Sequence, residues 1–141
     1  MNTESKEQLL ERIQSLDSAL NNYSIVLKIQ TSNLPTVLLV GDNNRNGYSE
    51  IDPQALQADL FKIGHHGKID AITEETLRAV APKHVICCAS SDRRYESAHP
   101  EIVKMVESLG ALMHFADPGD DRNAVRFTLS PGKIECETLK F

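Results

Sequence analysis

Asp59-Leu60-Phe61-Lys62-Ile63-Gly64-His65-His66-Gly67 is a short apolar run that delivers two adjacent histidines onto a glycine. Leu60 to Ile63 reads as a strand, and the Gly-His-His-Gly that follows reads as its end. Imidazole is the commonest metal-ligand side chain and the usual acid/base group near neutral pH. A strand end beside a glycine hinge holds such a group rigidly and leaves it reachable. Adjacent side chains at a strand end diverge, so His65 and His66 are not expected to bind one ion together. One is free to ligate while the other orients, protonates a leaving group or packs. A structural role for both is the competing reading.

Outward from this stretch, strands and helices alternate. Val37-Leu38-Leu39-Val40 reads as a strand buried on both faces. Tyr23, Ile25, Leu27 and Ile29 alternate with polar or smaller residues, predicting a strand over 23–30 in which they form the better-buried face. Asp52-Pro53 opens a short helix. Thr73 caps a helix running to Val80, His84 to Ala89 is a further strand, and Pro100 opens a helix that Gly110 closes. Leu112 to Phe115, Val125 to Leu129 and Ile134 to Leu139 are strands, the last two joined by the hairpin signal Ser130-Pro131-Gly132. Leu9, Ile13, Leu16 and Leu20 make one stripe of an amphipathic helix over about residues 5–20. The pattern predicts an α/β fold, a mixed β-sheet with flanking helices, in one domain spanning 1–141 with its N-terminal helix at 1–20.

Composition narrows the function classes. The 141 residues carry a formal charge of -5 and no basic stripe beyond Arg93-Arg94, which argues against a strong nucleic-acid patch. No apolar run approaches the roughly 20 residues that span a bilayer. The polar start, Met1-Asn2-Thr3-Glu4, is no secretion signal. Three cysteines, an odd number, make no disulfide framework and suit a reducing, cytoplasmic setting. Cys87 and Cys88, neighbours on one strand, are expected on opposite faces as core thiols.

Two further clusters stand out. Asp42 directly follows a buried strand and Gly41, the edge at which open α/β sheets collect ligands; an Asx turn is the alternative, and local sequence favours it. Asp42, Asn44, Asn46 and Gly47 imitate the start of a calcium loop, but the twelfth position is Pro53, which offers no bidentate carboxylate. Farther on, Arg93 and Arg94 precede His99-Pro100-Glu101 at a helix start, an arrangement suited to a phosphate or equally to a plain capped helix. His84 and His114 fall within strand patterns and read as structural.

Taken in order, Gly41-Asp42, the Asp59–Gly67 stretch, Arg94-Tyr95 before His99-Pro100-Glu101, and the terminal hairpin resemble the C-terminal half of a metallo-β-lactamase-fold hydrolase. The resemblance is in particular to the hydrolase domain of ComEC-type DNA-uptake proteins and their free-standing soluble relatives, and it runs from about Asn21 to about Cys136. It implies the second half of an αββα sandwich with two metal ions, usually zinc, between the halves. It further implies Asp42 as a bridging metal ligand, His65 or His66 as a second ligand, and Asp42, His66 and His99 as candidate catalytic groups. Arg93, Arg94 and His99 would face the substrate, a phosphodiester or another small molecule. The sequence departs from that pattern in lacking H-x-H-x-D-H, and its five histidines include only one adjacent pair. An aspartate and one histidine fall short of the three protein ligands typical of catalytic zinc. The expectation is a partial metal-dependent hydrolase with phosphodiesterase- or nuclease-like chemistry, inactive without a complementary N-terminal half-domain. The alternative is a degenerate, non-catalytic interaction module. There the apolar sheet face is covered by the 5–20 helix, in cis or by a second copy in a homodimer.

Overall fold

The computed structural model describes residues 5–90, 98–117 and 123–140. Five strands form one mixed sheet in the order β1 (Leu27–Ile29), β2 (Val37–Leu39), β3 (Leu60–Lys62), β4 (His84–Ser90) and β5 (Leu112–Asp117). β1 runs antiparallel to β2, and β2 through β5 are parallel. Helices connect the parallel strands, as parallel pairing requires. α2 (Arg45–Tyr48) and α3 (Pro53–Leu56) lie between β2 and β3, α4 (Glu74–Val80) between β3 and β4, and α5 (Pro100–Ser108) between β4 and β5. The α/β class with a mixed sheet and flanking helices is the one the sequence pattern predicts.

The caps are legible in the sequence. Asp52 Oδ1 accepts from the Gln54 N–H, with Pro53 at the first helical position. Thr73 Oγ1 accepts from the Thr76 N–H. Gly110 follows α5 at φ 79°, the left-handed geometry a glycine adopts at no steric cost.

The core lies on one face of the sheet. Leu38, Phe61, Val85 and Cys87 come from consecutive strands and pack with Leu77, Val80, Ile102 and Val106 of α4 and α5. Burying a side chain such as Phe61 stabilises the fold by about 1.5–3 kcal/mol. Cys87 is buried in this face while Cys88 is exposed on the other side.

The second face is less covered. A separate hairpin, β6 (Asn123–Ser130) with β7 (Lys133–Lys140), turns through Pro131-Gly132 and forms its own two-stranded sheet. Phe127 of β6 stands edge-on to the rings of His84 and His114, with centroids 6.2 and 5.2 Å away.

The structure differs from the sequence pattern in three places. The strand expected over 23–30 shortens to Leu27–Ile29, and the residues expected on its buried face are the exposed ones: Tyr23, Ile25, Leu27 and Ile29 face solvent, while Val26 packs against the core. β1 is an edge strand whose alternation marks the open face. The loop expected over 41–47 contains the short helix α2, which Asn44 caps through the Asn46 N–H. The N-terminal helix α1 (Lys6–Asn21) forms, with a Ser5–Gln8 capping box. It is not laid against the sheet in cis, however: Leu9, Ile13, Leu16 and Leu20 are 48%, 53%, 56% and 68% exposed. Among the described residues, no helix is long and apolar enough to cross a membrane.

Candidate functional site

The parallel strands β2, β3 and β4 end at the same edge of the sheet. Asp42 follows β2, His65 and His66 follow β3, and the carbonyl of Cys88 lies near the end of β4. That edge, beyond the carboxyl ends of parallel strands, is where open α/β sheets place ligands.

The histidines sit on an uncommon backbone. His65, His66 and Gly67 form one 3₁₀ turn with φ of 44°, 52° and 68°. Left-handed φ costs an L-residue about 1–2 kcal/mol, so two in succession persist only where the surroundings over-determine them. Those surroundings are specific. The Gly67 carbonyl accepts the backbone N–H of His99 at 2.8 Å, and the Gly64 carbonyl accepts that of Gly67 at 2.9 Å. Gly64 is pressed against the preceding loop, where an added Cβ would lie 1.9 Å from the Asn43 carbonyl oxygen.

This turn separates the two rings. His65 is buried and its Nδ1 lies 2.9 Å from Asp70 Oδ1, a hydrogen bond across the turn. His66 faces the other way: its Nδ1 donates to the Cys88 carbonyl at 2.6 Å, and its Nε2 lies 3.6 Å from Asp42 Oδ1. A carbonyl oxygen only accepts, so this contact fixes the proton of a neutral His66 on Nδ1 and leaves a lone pair on Nε2. In that neutral form a nitrogen lone pair and a carboxylate oxygen face each other at 3.6 Å, a distance too long for a hydrogen bond. Two ligands of one tetrahedral zinc ion are separated by about 3.3–3.6 Å, given bond lengths near 2.0–2.2 Å.

Lys62, on the strand that leads into the histidine turn, is the third member of the group. Its ammonium donates to the Gly41 carbonyl at 2.5 Å and lies 3.6 Å from the same Asp42 Oδ1. The Asp42 loop is further fixed by the Asp42 N–H donating to Ser24 Oγ at 3.2 Å.

The structure thus brings Asp42 and His66 together and turns His65 away to Asp70. His99 is the N-cap of α5: its Nδ1 accepts the Glu101 N–H at 3.3 Å, and its backbone N–H joins the histidine turn. Arg93 and Arg94 lie outside the described residues. Among the described residues, no group of three His, Cys, Asp or Glu side chains is placed to hold a metal ion. Asp42 and His66 fit as two ligands of one ion, and the described residues do not complete the set. Sequence reasoning missed Lys62, although a lysine sharing a strand face with Leu60 just before Gly64 was a readable signal. It also missed Asp70 and the Cys88 carbonyl, which only the fold brings near.

A second histidine cluster lies on the open sheet face. His84 and His114 stack with ring centroids 5.2 Å apart, and His84 Nδ1 lies 3.0 Å from His114 Nε2. Cys136 Sγ lies 3.3 Å from His114 Nδ1. Burial lowers the pKa of both imidazoles, Lys83 adding to the effect at His84 and His84 at His114, and burial pushes the Cys136 thiol up. The two nitrogens of His114 serve different partners, so the three side chains do not converge on one point. A cavity of about 450 Å³ lies between α2, α3 and α4, lined by Tyr48, Leu56, Thr73 and Thr76 among others, and none of Asp42, Lys62, His65 or His66 lines it.

Against known proteins, no family model matches the chain. Over 89 residues it is 30% identical to ComE operon protein 3 of Bacillus subtilis (strain 168), a match that covers 62% of this chain and 11% of that much longer protein.

Proposed function

We propose that this chain is one half of a metal-dependent hydrolase of phosphodiesterase-like chemistry, supplying the Asp42–His66 wall of a site that a complementary half-domain completes. One observation carries the reading: a strained left-handed turn holds the His66 Nε2 lone pair 3.6 Å from the Asp42 carboxylate, the spacing of two ligands on one ion. The similarity to a segment of ComE operon protein 3 supports a comparable fold segment for this chain, and the metallo-β-lactamase-like order of motifs supports the reaction class. Bound zinc in such a site supplies a hydroxide near neutral pH and Lewis-acid stabilisation of developing charge. This chain's own part is to place the Asp42 carboxylate beside Lys62, to present His66 as the Nδ1–H tautomer through the Cys88 carbonyl, and to fix the α5 start against the histidine turn through His99. Because the described residues fall short of a catalytic ligand set, no reaction step is assigned to this chain alone.

The test is complementation. The chain is co-expressed with a half-domain bearing an H-x-H-x-D-H segment, and zinc-dependent hydrolysis of bis(p-nitrophenyl) phosphate is measured. The reading predicts activity that disappears in Asp42→Ala. An inactive complex, or activity that survives Asp42→Ala, overturns it.

A second reading, a non-catalytic interaction module, is favoured by the uncovered stripe of α1 and the uncovered flank of β1. Under it, solution mass measurement finds a dimer, and the chain binds no zinc at micromolar concentration. A monomer that takes up zinc at that level contradicts it.

A further inference from the structure

Asp42 Oδ1 has two neighbours at the same distance, His66 Nε2 and Lys62 Nζ, each at 3.6 Å. We propose that Lys62 is the resident cation of this site, a built-in occupant that keeps a divalent ion off Asp42 until the ammonium is displaced. The inference rests on the reading of Asp42 and His66 as a ligand pair and adds a regulator to it.

Three features support the assignment. First, Lys62 is committed: its side chain is only 15% exposed, against 46% for Asp42, and its ammonium is anchored on the Gly41 carbonyl at 2.5 Å. The strand register places it there, since Lys62 pairs with Leu39 of β2, just before Gly41 and Asp42. Second, the lysine neutralises Asp42 without saturating it. The 3.6 Å separation is an ion pair and not a formed hydrogen bond, so the carboxylate oxygen keeps its lone pairs. Third, the arrangement is reversible. Lysine carries a compact charge on a flexible four-carbon stem, so the ammonium can withdraw when additional ligands outweigh it. While it stays, a divalent ion on Asp42 Oδ1 meets a positive charge within a few ångströms, a repulsion that solvent around the half-exposed carboxylate reduces without removing.

The measurement uses the chain as it is. Co²⁺ and Zn²⁺ are titrated by visible absorption and calorimetry at constant pH into the wild type, Lys62→Met, Lys62→Gln, Lys62→Arg and the double variant Lys62→Met/Asp42→Asn. Circular dichroism follows the folding of each. Both neutral variants are predicted to bind at least about tenfold more tightly than the wild type. Lys62→Arg, which keeps the charge, stays close to the wild type. The double variant loses the gain, which separates this site from adventitious binding at His84, His114 or Cys136. Equal affinity in the wild type and a folded neutral variant overturns the proposal, and so does a gain that persists in the double variant. Complementation reads independently. Asp42-dependent hydrolysis with no effect of Lys62 on affinity removes the resident-cation role and leaves the hydrolase reading. An Asp42-dependent gain in affinity without hydrolysis does the reverse.

Discussion

Two regions of this molecule each hold a pair of histidines, and they are built on opposite principles. His84 and His114 stand on neighbouring strands, β4 and β5, with ordinary backbone and stacked rings, and they satisfy their nitrogens on each other and on Cys136. His65 and His66 stand on a left-handed turn that regular structure does not require. There the two rings diverge, one to the part-buried Asp70 carboxylate and one toward Asp42. The first pair serves the docking of a hairpin. The second holds backbone strain at two successive residues, and strain of that kind gathers at functional sites. Residue type does not distinguish the pairs; backbone geometry and what each nitrogen faces do.

The sharpest separation of the two regions is expected in the complemented protein. His66→Ala lowers zinc-dependent hydrolysis by at least about a hundredfold, more than the loss typical of residues that only orient a ligand. His114→Ala leaves it within about threefold. Comparable losses in both variants break the contrast.

Backbone strain gives a second expectation, one of sign. At position 66, glycine is more stable than alanine by about 1 kcal/mol, because only alanine carries the left-handed penalty. At position 114, inside a strand, glycine is less stable than alanine by about 0.5–1 kcal/mol. Chemical denaturation of the four variants measures both differences, and the same sign at both positions shows that the turn is not strained.

A smaller effect concerns pH. Burial lowers the pKa of His84 and His114 in the folded protein. The unfolded chain, with histidine near 6.5, therefore binds protons first as pH falls. Their contribution is fully present above about pH 6.5 and is lost as pH drops below it toward the folded values. The melting temperature of the wild type falls between pH 7 and 5, and the fall is smaller in His114→Phe. An undiminished fall in that variant shows that other groups carry the dependence. The smallest effect is expected at α1, where Leu16→Lys at an exposed position changes the stability of the chain by less than about 0.5 kcal/mol.

Much of the fold was legible because local chemistry determined it. Asp52-Pro53, Thr73, Pro100 and Gly110 marked helix ends that the structure shows. The apolar runs of β2, β3 and β4 were readable since a parallel sheet covered by helices needs them. What was misread depends on tertiary context. The alternation of Tyr23, Ile25, Leu27 and Ile29 has a period but no sign, and sequence does not say which face meets the core. The stripe of α1 shows an amphipathic helix without showing what it meets. Asp42 and the His65-His66 pair were visible as a strand-end cluster. Which histidine turns toward Asp42 depends on φ at two positions and on a backbone carbonyl of β4 twenty-two residues away from His66, and neither is written in residue types.

Commitment of His66 Nε2 to Asp42 by the turn is read most directly from the histidine tautomers. Long-range ¹H–¹⁵N spectra recorded near pH 8, where a neutral imidazole is expected, with His66 assigned by substitution, report which nitrogen carries the proton. His66 is expected to be protonated on Nδ1 and unprotonated on Nε2. A His66 protonated on Nε2, or one exchanging freely between the two forms, contradicts it.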